Sequence, residues 1–212
     1  MISERGYWND AVGVPENYPH SESVALAIAN CMAEGKNMRT PVIDFGCGDC
    51  YLLDYLHAAG FKVHGVDGYI PEHAKKLRHF SVFSRYLWWL DLSRIVELTN
   101  FKKINGKPAP AGILTGKVIS LEVGEHIPAE YEQIFLDNLV RHCNSRLILS
   151  WAVPGQNGIG HVNCRPNDYV IAELDKRGFT FNASWTKTLR EVPEQHVAYF
   201  RETLMVFDKT IS

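Results

Sequence analysis

At positions 119–128 the chain reads ISLEVGEHIP, an apolar, strand-like run that breaks into Glu122, Glu125 and His126. The two acids are three residues apart and His126 is four from Glu122. A helical turn after the strand would therefore bring all three side chains to one side. Clustered carboxylates repel unless something positive sits among them, and no Arg or Lys lies between positions 118 and 140. Two hard oxygen donors with one imidazole suit Mg²⁺ or Mn²⁺ better than Zn²⁺, for which Cys and His are commoner ligands.

A second set of candidates lies further upstream in VIDFGCGDCYLLDYL. Asp44 ends a strand pattern, and Gly46 and Gly48 permit a tight turn in which backbone can approach a ligand closely. Position 51 is Tyr, where a dinucleotide-binding turn would want a third glycine to admit a pyrophosphate. The next strand pattern, VHGVDGY, places Asp67 where a carboxylate can accept both hydroxyls of a ribose. The third ends in Asp91 and Leu92, a polar and apolar pair for an adenine edge and face. Acid, glycine turn, acid and acid describe a nucleoside site without a phosphate cradle. The same turn contains CGDC, and Cys47 and Cys50 have the spacing of a thioredoxin-type redox pair at a strand-to-helix junction.

The elements that must position these residues alternate. Strand patterns fall at 41–45, 61–67, 86–92, 117–123 and 146–153, joined by helical patterns such as YLLDYLHAAG and YEQIFLDNLVRH. Alternation predicts a doubly wound, Rossmann-like α/β fold, with right-handed crossovers and ligands at the carboxyl ends of the strands. The segments FTFNASWTKTL and AYFRETLMVFD leave no room for a helix between them and are expected to form an antiparallel hairpin. The Gly/Pro-rich stretch at 99–112 reads as a surface loop. We expect one domain over 1–212, with an N-terminal helical cap over 1–39 and a core over 40–212.

The chain has 212 residues, 46% of them hydrophobic, enough for one substantial core. A net charge of -2 and the lack of a dense basic patch argue against a nucleic-acid partner. The five cysteines are irregularly spaced, a poor disulfide framework and an ordinary set for a reducing compartment. The N-terminus has no leader pattern, and SVALAIANCMA is too short to span a bilayer. A cytoplasmic protein is the expectation.

The combination of DFGCGD with the acidic VDGY resembles the class I methyltransferases that use S-adenosylmethionine (SAM), over about residues 40–207. The resemblance implies that Asp44, Gly46 and Gly48 line the methionine end of the cofactor, Asp67 the ribose and Asp91 the adenine. It implies a seven-stranded sheet ending in antiparallel strands, and leaves Cys47 and Cys50 as turn and helix residues. The E-x-x-E-H pattern is similar to the metal motif of ubiquinone-pathway O-methyltransferases and of enzymes that methylate the terminal 2'-hydroxyl of small RNAs. The latter add a histidine from beyond the next strand, a place where this chain has His161. The implied metal ligands are Glu122, Glu125, His126 and His161.

The segment PGQNGIGHVN is a glycine-rich loop that can reach the methyl donor. It resembles a group of methyltransferases often encoded beside glycosyltransferases, which implies a sugar or glycan acceptor, with Gln156, His161 and Asn163 facing it. A sugar hydroxyl needs acidifying before it attacks a methyl group, a task for a divalent cation. His126 or His161 could accept the proton, although a ring committed to a cation is a poor base. Tyr7, Trp8, Tyr18 and His20 could stack on a sugar or pack the N-terminal helix. His64, His73 and His79 have no partners at ligand spacing and read as structural or solvated. Two other functions share part of this pattern. An RNA 2'-O-methyltransferase would need a basic, aromatic groove, for which Lys102, Lys103 and Lys107 are too few. A noncatalytic SAM-binding protein would have no need of the metal residues.

Overall fold

Short runs of β-branched and apolar residues build a central seven-stranded sheet in the order β3-β2-β1-β6-β7-β9-β8. Its strands are β1 (Val42–Phe45), β2 (Val63–Asp67), β3 (Leu87–Trp89), β6 (Gly116–Ser120), β7 (Cys143–Leu149), β8 (Phe179–Phe181) and β9 (Met205–Lys209). The computed structural model describes residues 3–6, 19–36, 38–104 and 107–210. Neighbouring strands are parallel except at β9, which runs antiparallel to both β7 and β8.

Helices cover both faces because the strand side chains alternate between two apolar clusters. Val42, Ile119, Ile148 and Val206 face α1 (Glu22–Ala33), α2 (Tyr51–Ala58) and α6 (Ala183–Arg190), and the short α3 (Phe80–Phe83) packs on the same cluster. Ile43, Phe45, Leu147 and Phe207 face α4 (Glu132–His142) and α5 (Asn167–Asp175). The chain proceeds outward from β1 to β3 and then crosses to β6 on the other side of β1. That reversal leaves a crevice beyond the carboxyl ends of β1 and β6, where open α/β sheets bind ligands.

The strands over 86–92 and 117–123 are shorter than the sequence suggested, so Asp91, Leu92 and Glu122 to His126 lie in the connections beyond the sheet. Two expectations are corrected. The stretch at 99–112 is not a loop but an antiparallel pair of its own, β4 (Thr99–Ile104) with β5 (Lys107–Ile113). The terminal strands do pair antiparallel, but α6 and the short α7 (Phe200–Thr203) stand between them. Asn182 starts α6 by accepting the Trp185 N–H, an N-cap that confines the strand to FTF, which is β8, and turns the following ASWTKTL into a helix. Among the described residues no helix is long and apolar enough to cross a membrane.

Candidate active site

A cavity of about 480 Å³ opens at the β1/β6 crevice. Its floor is the β1–α2 turn, one wall is the end of β2, and the opposite wall is the segment after β6. Val24 and Ile28 of α1, with Tyr199 and Phe200, close it from the far side.

Gly46, Gly48, Asp44 and Asp67 all line this cavity. Gly46 sits at φ 88°, and a Cβ there would come within 2.2 Å of the Val123 side chain, so the turn requires glycine on both counts. Gly48, at φ 50°, donates its N–H to Asp67 Oδ2 at 2.8 Å, while Tyr69 donates to Oδ1 at 2.9 Å. Each oxygen keeps a lone pair for a further donor. Burial raises the Asp67 pKa to about 6 against the pull of those N–H groups, and burial with the neighbouring Asp67 charge raises Asp44 to about 8. Leu92 lines the cavity as expected. Asp91 does not: its Oδ1 accepts from the Ser93 N–H and hydroxyl at 2.9 and 2.6 Å, and its Oδ2 accepts from Arg94 at 3.1 Å. It shapes the turn after β3 instead.

Cys47 and Cys50 are free buried thiols with sulfurs 3.9 Å apart. The hydrogen bond shared with Cys50, together with burial, pushes the Cys47 thiol well above its ordinary value, the reverse of an activated redox cysteine.

The opening motif folds as a sharp reversal followed by one 3₁₀ turn, Gly124–His126. Glu122 makes the reversal in the left-handed region at φ 54°, its N–H donating to Ser150 Oγ at 2.8 Å. A left-handed non-glycine residue costs about 1–2 kcal/mol, so the surrounding structure imposes it. Gly124 lies flat on the buried Trp151 indole, since a Cβ there would overlap the ring at 2.4 Å. This packing swings Glu125 and His126 toward the glycine-rich loop.

Glu125, His126 and His161 come together there, each offering a ligand atom, with all three atoms within 4.8 Å of one another. His126 Nδ1–H donates to the Gly160 carbonyl at 3.2 Å, and His161 Nδ1–H donates to the Gln156 carbonyl at 3.2 Å. A carbonyl accepts only, so each ring keeps its Nε2 lone pair free, the arrangement that orients metal-binding imidazoles. Burial, reinforced by the neighbouring His161, lowers His126 to about 4. Both Glu125 carboxylate oxygens are buried without a hydrogen-bond partner. Burial and the Glu122 charge raise its pKa well above the usual range. Glu122 stands at the edge of this group. Its Oε2 accepts from Gln156 at 2.6 Å and its Oε1 is buried and unpartnered. One carboxylate and two imidazoles, with orphaned carboxylate oxygens, fit a divalent transition metal, and Mg²⁺ or Mn²⁺ would be favoured with Glu122 as a second hard ligand.

Asn163 is the second correction in this region. It does not face the cavity but is buried, with its amide donating to Glu132 Oε2 at 2.9 Å. Tyr7, Trp8 and Tyr18 lie outside the described residues, whereas His20 lines the cavity, stacked on Tyr51 at 4.0 Å with its Nε2 2.6 Å from Asp49 Oδ2. Tyr51, Asp49 and Tyr199 complete the walls. Nothing local in the sequence marks them, because they meet the site only through the fold. His64 stacks near Trp88, and His73 and His79 lie near Asp49 and Asp54, apart from the Glu125 cluster.

No protein-family model matches the chain, and no curated protein does. Solved structures do match in fold. A magnesium protoporphyrin IX methyltransferase from Synechocystis PCC 6803 with bound SAM aligns at TM-score 0.59 and 17% identity, over 92% of this chain and 87% of that one. A sugar N-methyltransferase from Streptoalloteichus aligns at TM-score 0.60 and 13% identity, over 96% and 100%. An amino pentose methyltransferase from Micromonospora echinaspora, also SAM-bound, aligns at TM-score 0.55 and 12% identity, over 88% and 90%. The chain shares the fold of these SAM-dependent methyltransferases.

Proposed function

We propose that this protein is a SAM-dependent O-methyltransferase acting on a sugar or glycan hydroxyl with the help of Mg²⁺ or Mn²⁺. The observation that carries the reading is the cluster of Glu125, His126 and His161, with a buried carboxylate lacking partners, on the β6 side of a cavity that Asp67, Gly46, Gly48 and Leu92 also line. A cluster built for a cation has a use with a hydroxyl acceptor, whose pKa is too high for ready attack. An amine acceptor only needs to lose its proton. The sugar-modifying proteins that share the fold support a carbohydrate acceptor, as does the resemblance of PGQNGIGHVN.

In this reading Asp67 accepts the two ribose hydroxyls, Leu92 packs on the adenine, and the Gly46–Gly48 backbone with Asp44 follows the methionine end. When bound, the cofactor supplies an electrophilic methyl group. When bound to Glu125, His126 and His161, with Glu122 beside them, the cation would acidify one hydroxyl and hold its neighbour, which suits a vicinal diol. Gln156 holds Glu122 in place. A cation held by both rings leaves no free imidazole base, so proton transfer to Nε2 of His126 or His161 would require that ring to stay off the cation, with Glu122 as the ligand in its place.

Asp67→Ala should weaken SAM binding by roughly 1.5–3 kcal/mol, about ten- to hundredfold, measured by calorimetry. Unchanged affinity would remove Asp67 from the site. Affinity should also depend on pH. The carboxylate form accepts the hydroxyls, and the free protein protonates Asp67 below about 6, so binding should strengthen as pH rises through about 6 and plateau above it. A profile that weakens over that interval would contradict the assignment. The acceptor is tested by offering nucleotide sugars, short glycans and RNA 3' ends with labelled SAM, with and without EDTA. EDTA-sensitive transfer to carbohydrate is expected, and transfer to RNA alone would reverse the reading.

A further inference from the structure

Behind the Glu125 cluster lies a buried polar hub that faces away from the cavity. Glu132, the first residue of α4, is 1% exposed. Its Oε2 accepts from Arg165 Nε at 2.6 Å and from the Asn163 amide at 2.9 Å, and its Oε1 accepts from the Tyr169 hydroxyl and from Gln133. Those bonds hold the carboxyl below its usual range despite the opposing effect of burial, so it stays ionised. A buried charge surrounded by donors in this way fixes whatever carries the donors.

Asn163 passes that constraint on. Its backbone N–H, with that of Val162, donates to the Glu125 carbonyl, both at 2.9 Å, and its own carbonyl accepts from Trp151 Nε1 at 2.7 Å. The two segments that supply Glu125 and His161 are thus stapled together two residues from His161, and the staple is anchored on Glu132. The rest of the loop is tied down at Gln156, through Glu122, and at Gly160, through His126, while Ile159 and Val162 are 69% and 64% exposed.

We propose that Glu132, acting through Asn163, is a positioning residue that sets the orientation of His161 against Glu125. It would govern cation affinity and turnover without touching substrate, cofactor or cation. The role assigned to this cluster rests on the proposed function, but the orientation of the ring does not.

The ring can be followed directly. In ¹⁵N–¹H spectra of histidine-labelled protein, with His161 assigned from a His161→Gln variant, the wild-type ring should show one tautomer with the proton on Nδ1. His142 provides an internal control, being buried with Nδ1–H on the Asn138 carbonyl at 2.8 Å and Nε2 accepting from the Leu98 N–H at 3.0 Å. Glu132→Ala should move the His161 nitrogens toward the averaged tautomers of a free imidazole and leave His142 unchanged. Mn²⁺ affinity, read by electron paramagnetic resonance, should fall about ten- to hundredfold, with SAM affinity unaffected. If Glu132→Ala does not fold, Asn163→Ala cuts the same link while Arg165 still neutralises Glu132 and Tyr169 still donates to it, and should give the same spectrum. An unchanged His161 signal in either folded variant, or equal disturbance of His142, would overturn the proposal. Failure of the wild-type protein to bind Mn²⁺ would instead count against the metal reading, and the ring spectrum would still decide the role of Glu132.

Discussion

Replacing Glu125 with alanine should lower methyl transfer by at least about a hundredfold, and EDTA should do the same to the native protein. SAM affinity should stay within about threefold, because Glu125 is separated from the Asp67 side of the cavity and shares no partner with it. The same substitution should leave the cation-free protein as stable or more so. Glu125 is fully buried with both oxygens unpartnered, and Glu122 adds like-charge repulsion. Without a cation that arrangement opposes folding. The sign with pH follows: a carboxyl raised in the folded state favours folding when protonated, so this contribution is fully present at low pH. It is lost as pH rises through the raised value. Lost turnover with retained or increased thermal stability would mark Glu125 as a functional group kept at a structural cost. Full activity of Glu125→Ala would defeat its role.

The largest effect on stability is expected at Trp151. The side chain is fully buried, packs edge-on to Phe135 at 5.8 Å, supports the bare face of Gly124, and donates Nε1–H to the Asn163 carbonyl. Trp151→Ala removes a large core side chain and leaves one buried carbonyl unpaired, which should cost about 3–5 kcal/mol. For a chain of this length that is a fall of about 6–20 °C in melting temperature, measured by calorimetry. A loss under about 1 kcal/mol would mean that the site rests on something other than this indole.

The parallel half of the fold was legible because its strands, buried on both faces, read as short continuous apolar runs separated by amphipathic helices. The two errors in secondary structure have local causes. Pro108 and Pro110 argued against a strand in β5, yet the two-stranded β4–β5 unit accommodates them. In the C-terminal region FTFNASWTKTL looks like one strand, although Asn182 within it is an N-cap by residue type.

At the site, Asp44, Gly46, Gly48, Asp67 and Leu92 could be located because a strand's carboxyl end fixes where the next few residues go. Asp91 could not be placed that way. In D-L-S-R the acid is captured by Ser93 and Arg94, a local competition that strand position does not decide. Glu125 and His126 carried a signal in type and spacing and His161 followed from the resemblance to metal-dependent methyltransferases, whereas the role of Glu132 depends on partners 31 to 37 residues away. His20 and Tyr199, from opposite ends of the chain, become neighbours of the cavity only once α1 and the segment before β9 have packed.

The central claim is that a cation and a nucleoside cofactor are held side by side in this crevice. Anomalous diffraction at the manganese edge, from crystals grown with Mn²⁺ and S-adenosylhomocysteine, tests it most directly. The expected result is one anomalous peak among Glu125, His126 and His161, with the ribose of the cofactor product on Asp67. Density for the nucleoside on Asp67 with no peak among those three side chains would contradict the metal claim and leave His126 or His161 as a simple general base.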